Sequence, residues 1–82
     1  MKPLDYPEYK FMRTVRGNIA EHNNYSPKRL TERKIAEKLG IHYNTLGSYY
    51  KHPETIPIGT MFRLAEIAEI TQEQWNSFFP ED

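Results

Sequence analysis

The feature that most constrains the fold is the run from Glu32 to Lys51, which reads as two short helices that turn sharply in the middle. Ile35, Ala36 and Leu39 recur at the spacing of a helix that buries one face. Gly40 follows them and tolerates the left-handed backbone in which helices commonly end. Two helices that meet through so tight a turn need a small residue at their closest approach, and Ala36 supplies it. The run therefore predicts a helix-turn-helix.

Hydrophobic periodicity and turn residues divide the rest of the chain in the same way, and no segment alternates as a strand would. Pro7 suits the first turn of a helix, and Asn23 with Asn24 ends the pattern of that helix. Thr71, followed by Gln74, has the sequence of a capping box. We therefore predict a single all-α domain over residues 1–82, with five helices over residues 7–22, 31–39, 42–51, 59–69 and 72–79.

The predicted core is the set of apolar residues that share one face of each helix. They are Phe11, Met12, Val15, Ile19, Ile35, Ala36, Leu39, Leu46, Met61, Leu64, Ala65 and Ala68. Ile41 is expected to pack behind the turn, and Tyr49 or Tyr50 to complete the third helix. Because the 82 residues include no cysteine, neither a disulfide nor a thiolate-bound metal can supplement this small core.

Charge is unevenly divided along the chain, although the formal net charge is zero. Residues 28–51 carry six basic and two acidic side chains, whereas residues 52–82 carry one basic and six acidic side chains. A protein that meets nucleic-acid phosphates with one surface needs this asymmetry rather than a high overall pI. The plainer interpretation is a solvated helical surface of mixed charge.

Neither a catalytic site nor a metal site is predicted. His22, His42 and His52 lie in different segments without the spacing of metal ligands, and the chain has no glycine-rich phosphate loop or nucleophile elbow. We therefore expect no enzyme activity and no cofactor. No apolar run approaches the roughly 18 residues that cross a bilayer, and the N-terminus lacks the pattern of a signal peptide. We expect no membrane association and a cytoplasmic location.

The segment Thr31–Ile41, TERKIAEKLGI, followed by a polar helix, resembles the lambda-repressor-like (Cro- and XRE-type) DNA-binding family. Residues 57–70, in which a proline precedes a Leu-Ala pair, are similar to the fourth helix of that family. The resemblance covers about Phe11 to Phe79. It implies a five-helix lambda-repressor-like bundle whose third helix enters the major groove, and a homodimer on a two-fold double-stranded DNA operator. The implied function is that of a phage Cro-like protein or short repressor, a sequence-specific transcriptional regulator.

Four features depart from the pattern of that family. Glu32 stands where glutamine commonly caps the second helix and touches phosphate, and a carboxylate there would repel phosphate. The connector before Thr31 is several residues longer than usual. Gly47 interrupts the third helix at a cost of about 1 kcal/mol relative to alanine. Tyr50 occupies a place that often holds glutamate.

The resemblance implies which residues would contact DNA. Base contacts are expected from the outward positions of the third helix, which are His42, Tyr43, Asn44, Thr45 and Ser48. Asn44 can bond adenine in bidentate fashion, the alternative being an ordinary solvated first-turn residue, and the alternative for His42 is that it only caps the helix. Phosphate contacts are expected from Lys28, Arg29, Arg33, Lys34 and Lys51, for which the alternative is a solvated charged face.

Trp75, Phe78 and Phe79 form an aromatic C-terminal helix that a domain of this size cannot easily bury. We expect Trp75 and one phenylalanine to complete the core and the other phenylalanine to protrude. Dimers of the resembled family often join through this region, so the three residues are predicted as a dimer interface. The alternative function is a protein-interaction module, such as an antirepressor or an antitoxin-like partner, that reuses the fold. A third possibility, the small subunit of a packaging terminase, fits the Leu-Ala helix less well.

Overall fold

The computed structural model describes residues 6–79, and over that range the chain is helical and contains no β-strand. Five α-helices follow one another: α1 (Pro7–Tyr25), α2 (Glu32–Leu39), α3 (Tyr43–Lys51), α4 (Ile58–Ile67) and α5 (Gln72–Ser77). A turn of 3-10 helix (Pro53–Thr55) lies between α3 and α4. The predicted all-α architecture with five helices is therefore confirmed. In the described range, no helix has the length and apolar character needed to cross a membrane.

The first helix, α1, continues to Tyr25, beyond the predicted end at residue 22, because Asn23 does not terminate it. The Asn23 side chain binds the backbone of Leu30 twice. The Leu30 N–H donates to Asn23 Oδ1 at 2.7 Å, and Asn23 Nδ2 donates to the Leu30 carbonyl at 3.1 Å. His22 Nε2 also lies 2.9 Å from the carbonyl oxygen of Lys28. These contacts hold the connector against α1 and so position the start of α2.

The second helix, α2, begins and ends at residues whose chemistry explains its limits. Thr31 is its N-cap, and Thr31 Oγ1 accepts a hydrogen bond from the Lys34 N–H at 3.2 Å. Gly40 ends it with φ at 72°, as the sequence predicted, and a residue with a Cβ atom would be strained there. The Ile41 N–H then donates to the Ala36 carbonyl at 3.0 Å, which reverses the chain into α3.

The fourth helix, α4, starts at Ile58 rather than at residue 59 and ends at Ile67 rather than at residue 69. Its early end has a local cause, since Glu69 adopts a left-handed backbone with φ at 52°. The Ile70 N–H donates to the Ala65 carbonyl at 3.0 Å, so the last turn closes as a Schellman-type C-terminus. The side-chain-bearing Glu69 thus occupies a position that usually holds glycine.

The predicted capping box is present at the start of α5 and also joins that helix to α1. Thr71 Oγ1 accepts from the Gln74 N–H at 3.1 Å, and Gln74 Oε1 accepts from the Thr71 N–H at 3.0 Å. The amide of Asn18 on α1 bonds to both the side chain of Gln74 and the carbonyl of Ala68, each at 3.0 Å. The helix itself ends at Ser77, short of the predicted residue 79.

The core is formed by the positions that periodicity predicted, with a few additions. Buried residues are Phe11, Met12, Val15, Ile19, Ile35, Ala36, Leu39, Leu46, Leu64, Ala65 and Ala68, joined by Ile56 and Phe78. Met61, Ile41, Tyr49 and Tyr50 are partly buried against it. Pro53 is also fully buried, because the 3-10 turn that contains it packs against α1 and α3. The segment between the predicted third and fourth helices therefore contains a short helical turn that packs against the core.

Aromatic side chains close the core between α1 and α5. Phe11 stacks on Trp75 with ring centroids 5.6 Å apart, and it meets Phe78 edge-on at 5.9 Å. Trp75 and Phe78 also contact each other edge-on at 5.5 Å. Such arrangements use the ring quadrupoles as well as apolar burial. Phe78 is only 1% exposed, so it belongs to the interior of the domain.

Candidate nucleic-acid interface

The start of α3 is organised by His42, which is the N-cap of that helix. His42 Nδ1 accepts a hydrogen bond from the Asn44 N–H at 3.1 Å, so α3 begins at Tyr43 rather than at residue 42. The imidazole ring also stacks on the Tyr43 ring, with centroids 4.6 Å apart. One ring nitrogen of His42 is thus occupied by capping, while the side chain remains exposed. The capping alternative for His42 is present in the structure.

Arg33 and Tyr43 connect the two helices on their outer side. The guanidinium carbon of Arg33 on α2 lies 4.5 Å from the centroid of the Tyr43 ring, which is the geometry of a cation–π contact. Because Tyr43 also stacks on His42, three predicted site residues form one cluster at the junction of α2 and α3. The cluster restrains the rotamers of Arg33 and Tyr43 and places a positive charge beside the first turn of α3.

The outer face of α3 carries side chains with free hydrogen-bonding capacity. Asn44, Ser48 and Lys51 are exposed and share one face, because they are separated by four and then three residues. Among residues 6–79, the side chains of Asn44, Thr45 and Ser48 make no hydrogen bond to other protein groups; Thr45 is half-buried. A Cβ atom on Gly47 would meet nothing within 4 Å, so the backbone of α3 is also open there.

The predicted phosphate-binding residues lie in two places. Lys28 and Arg29 are exposed in the connector that Asn23 and His22 hold against α1. Lys34 is exposed in the first turn of α2, and its Nζ atom lies 3.4 Å from the carbonyl oxygen of Arg29, so this side chain folds back toward the connector. Lys51 is exposed at the opposite end of α3. All four of these basic side chains are exposed.

Glu32 and Tyr50, two of the departures noted above, lie close to each other and to Arg16 of α1. The Arg16 guanidinium carbon is 5.4 Å from the centroid of the Tyr50 ring. Burial raises the pKa of Tyr50, the charge of Glu32 raises it further, and Arg16 opposes both effects. Tyr50 thus packs partly against the core and joins three helices. Glu32 is exposed to solvent, and its charge acts on the Tyr50 hydroxyl.

The C-terminal aromatic residues divide between the core and the surface. Phe78 is buried, so its inclusion in a dimer interface is corrected: its side chain is not on the surface of the domain. Phe79 is 59% exposed and Trp75 is partly buried. The expectation that Trp75 and one phenylalanine complete the core while the other protrudes is therefore confirmed. Sequence reasoning missed Ile58 and Phe62 of α4, which are 71% and 54% exposed, although their spacing of four already placed them on one helix face.

A polar cluster lies at the 3-10 turn between α3 and α4. His52 Nδ1 is 3.5 Å from a carboxylate oxygen of Glu54, and the same carboxylate interacts with the hydroxyl of Tyr9 on α1. The backbone amide of Glu54 lowers the pKa of that carboxyl group, with help from Tyr9 and His52. Among residues 6–79, no three histidine, aspartate or glutamate side chains are grouped as a metal site.

Comparison with known proteins yields no match for this chain, whether against family models, curated proteins or solved structures. The functional interpretation therefore depends on the residues and the geometry described above.

Proposed function

We propose that this chain is a sequence-specific DNA-binding protein, a transcriptional regulator whose α2 and α3 form the helix-turn-helix of a lambda-repressor-like bundle. The observation that carries the proposal is the outer face of α3. Asn44 and Ser48 have hydrogen-bonding groups that the protein leaves unused, and Lys51 continues the same face. A short, exposed helix with such a face has the size and chemistry to read base edges in the major groove.

Each side chain has a separate role in this proposal. Asn44 pairs with an adenine edge, and Ser48 donates to or accepts from a neighbouring base. Tyr43 meets a thymine methyl group or a phosphate, and its contact with Arg33 holds that guanidinium beside the DNA backbone. His42 acts mainly through the cap that orients the first turn of α3. Gly47 allows close approach of the helix backbone to the groove.

The charge distribution supports the same orientation of the molecule. The connector and α2 supply the exposed side chains of Lys28, Arg29 and Lys34, and α3 supplies that of Lys51. Phosphate contacts of this kind release counterions, so affinity for DNA should fall steeply with salt. The operator would be bound as two half-sites by a homodimer. For that contact the exposed Phe79 and the partly buried Trp75 are the surface candidates.

The decisive experiment is selection of bound sequences from a random pool of double-stranded DNA, followed by anisotropy titrations on the selected site. Asn44→Ala should weaken binding by about 5- to 100-fold and relax the preference at one base position. Asn76→Ala on α5 is the matched control, since it removes an exposed asparagine outside the proposed surface. The proposal fails if no sequence is enriched at low salt.

Salt dependence tests the phosphate contacts separately. Lys34→Ala and Lys51→Ala should each reduce the slope of log K against log salt by about 0.9 if each residue contacts one phosphate. Arg63→Ala is the control, because it removes an exposed positive charge from α4. If the slopes for Lys34→Ala and Lys51→Ala equal that for Arg63→Ala, neither lysine contacts a phosphate.

The alternative function, a protein-interaction module, is favoured by one observation, the exposed apolar side chains of Ile58, Phe62 and Phe79. It would be an antirepressor or an antitoxin-like partner. Loss of a partner complex on substitution of Phe62 or Phe79, together with an absence of any DNA binding, would support this alternative over the proposal.

A further inference from the structure

A shallow groove runs between α4 and α5, on the acidic part of the chain. Its apolar lining consists of Phe62, Ala65, Ile70 and Trp75, and two carboxylates, Glu66 and Glu69, lie beside them. We refer to these six residues as the α4–α5 groove. None of the six is basic. The groove is separate from the apolar depression on the other side of Trp75, which contains Phe79.

Among the apolar residues of this groove, Phe62 is exposed, Ile70 and Trp75 are partly buried, and Ala65 is buried. Phe62 is 54% exposed, and its ring centroid lies 6.1 Å from that of Trp75, so the two aromatic residues form a continuous surface. Ile58, which is 71% exposed, precedes Phe62 by four residues and extends the apolar face along α4. Contiguous exposed apolar surface rimmed by polar groups is typical of an interaction site.

The charge beside the groove indicates what kind of partner fits it. Within residues 6–79, neither Glu66 nor Glu69 has a basic side chain within 4.0 Å. Lys38 lines the depression on the far side of the two carboxylates and forms no ion pair with them in that range. Two copies of this chain that met groove to groove would bring four carboxylates together. A partner with positive charge flanking its apolar side chains would satisfy them.

The backbone at Glu69 provides an independent argument. Its φ of 52° lies in the left-handed region, where glycine is the usual residue at a helix C-terminus and a Cβ atom is disfavoured. Glutamate in that position costs stability and contributes no ion pair within the described residues. A binding role for its carboxylate explains why a destabilising residue lies beside an apolar groove.

We propose that the α4–α5 groove docks a basic amphipathic helix of another protein. Apolar side chains at helical spacing pack on Phe62 and Trp75, and flanking lysine or arginine residues pair with Glu66 and Glu69. None of these residues belongs to the surface of α2 and α3 that is proposed to contact DNA, and only Trp75 is shared with the proposed dimer contact. The chain then has two recognition surfaces of opposite charge.

The test uses two labelled synthetic helices of about 16 residues with identical leucine positions. One carries lysine at the flanking positions and the other carries glutamate. Binding to the full chain is measured by fluorescence anisotropy. The lysine peptide should bind and the glutamate peptide should not. A scrambled lysine peptide, with the same charge but no apolar face, controls for non-specific attraction and should bind at least about tenfold more weakly.

Three variants assign the binding to the groove. Phe62→Ser should weaken the lysine peptide by about tenfold or more, because it removes the exposed aromatic anchor. Glu69→Gly should weaken it by about two- to fivefold while raising the midpoint of thermal unfolding, since glycine relieves the left-handed backbone. Loss of binding cannot then be attributed to unfolding. Glu37→Gln, an exposed glutamate on α2, is the matched control and should leave peptide affinity unchanged.

The proposal is overturned if the two leucine peptides bind equally, or if Phe62→Ser and Glu69→Gly leave the affinity for the lysine peptide unchanged. It is also overturned if sedimentation shows a dimer that Phe62→Ser converts to monomer, because the groove would then be filled by a second copy. Anisotropy on the selected DNA site is measured in parallel. Failure of DNA binding with intact peptide binding contradicts only the DNA-binding proposal.

Discussion

The region formed by the connector, α2 and α3 differs from the region formed by α4 and α5 in what it leaves exposed. Over residues 28–51 the surface is basic, and α3 presents polar side chains whose hydrogen bonds are unused. Beyond residue 52 the charge is acidic, and α4 presents Ile58 and Phe62 to solvent. The formal net charge of zero thus combines a net charge of +4 over residues 28–51 with −5 over residues 52–82 and +1 over residues 1–27.

This difference shows that the two regions are suited to different partners. Under the DNA-binding proposal, a polyanion is attracted to the first region and repelled by the second, and these long-range forces orient the chain on DNA. In that proposed orientation, the second region is turned away from DNA and left available to a protein. The predictions below test whether each region behaves as this comparison requires, beginning with the largest expected effect.

The neighbouring residues Phe78 and Phe79 test which of the two C-terminal phenylalanines belongs to the core. Phe78→Ala should reduce the free energy of unfolding by about 3–5 kcal/mol, because it opens a cavity against Phe11 and Trp75. Phe79→Ala should change it by about 0.5 kcal/mol or less, since that side chain is largely solvated. Denaturant titration of both variants measures the difference. Similar losses would contradict the assignment of Phe78 to the core.

Two asparagines on α1 test whether the two regions unfold independently, because Asn18 bonds to the second region and Asn23 bonds to the connector. Asn18→Ala leaves the Ala68 carbonyl and the Gln74 amide without their partner and should cost about 1–3 kcal/mol. Asn23→Ala removes the two bonds that hold Leu30 in the connector. Hydrogen exchange should show faster exchange in α5 for the first variant and in residues 28–34 for the second. Identical exchange patterns would mean that the two regions unfold as one unit.

Much of this fold was predictable because its signals are local. The turn after α2 needs a left-handed backbone, and Gly40 is the residue type that tolerates it. Thr71 and Gln74 form a capping box with each other and need no distant part of the chain. The core faces followed from helical spacing for the same reason. The end of α4 was less predictable, since nothing in its sequence marks Glu69 as left-handed. Local chemistry predicts structure best where only one residue type fits.

The surfaces were less predictable, because exposure depends on what the rest of the chain covers. Phe78 and Phe79 are adjacent and chemically identical, and only the contact with Phe11 decides which one is buried. Phe62 had the spacing of a helix face, but nothing in the sequence indicates that this face stays uncovered by the other helices. The polar face of α3 was anticipated because its hydrogen-bonding residues follow the turn directly.

Two glycines in open helical positions test the recognition surface. Gly47→Ala on α3 and Gly59→Ala on α4 should each raise the free energy of unfolding by about 0.5–1 kcal/mol, since a Cβ atom meets nothing within 4 Å at either position. Only Gly47→Ala should weaken binding to the selected DNA, because only α3 is proposed to approach the groove. Equal DNA affinities for both variants would show that the backbone at Gly47 stays clear of the duplex.

The smallest expected effect concerns Glu54, which lies at the border between the two regions. Its own backbone amide, Tyr9 and His52 lower the pKa of its carboxyl group below the ordinary 4.5. A proton therefore binds more weakly to the folded chain than to the unfolded chain, so this contribution to stability is present above about pH 4.5 and is lost as pH falls through the lower, folded-state value. Unfolding of the parent chain should consequently be more sensitive to acid than that of Glu54→Gln, which cannot titrate.

Denaturant midpoints measured from about pH 6 to about pH 3 compare the two, with Glu21→Gln on α1 as an exposed control. If Glu54→Gln and Glu21→Gln lose stability in parallel with the parent chain, the cluster of Glu54, Tyr9 and His52 does not couple the 3-10 turn to α1.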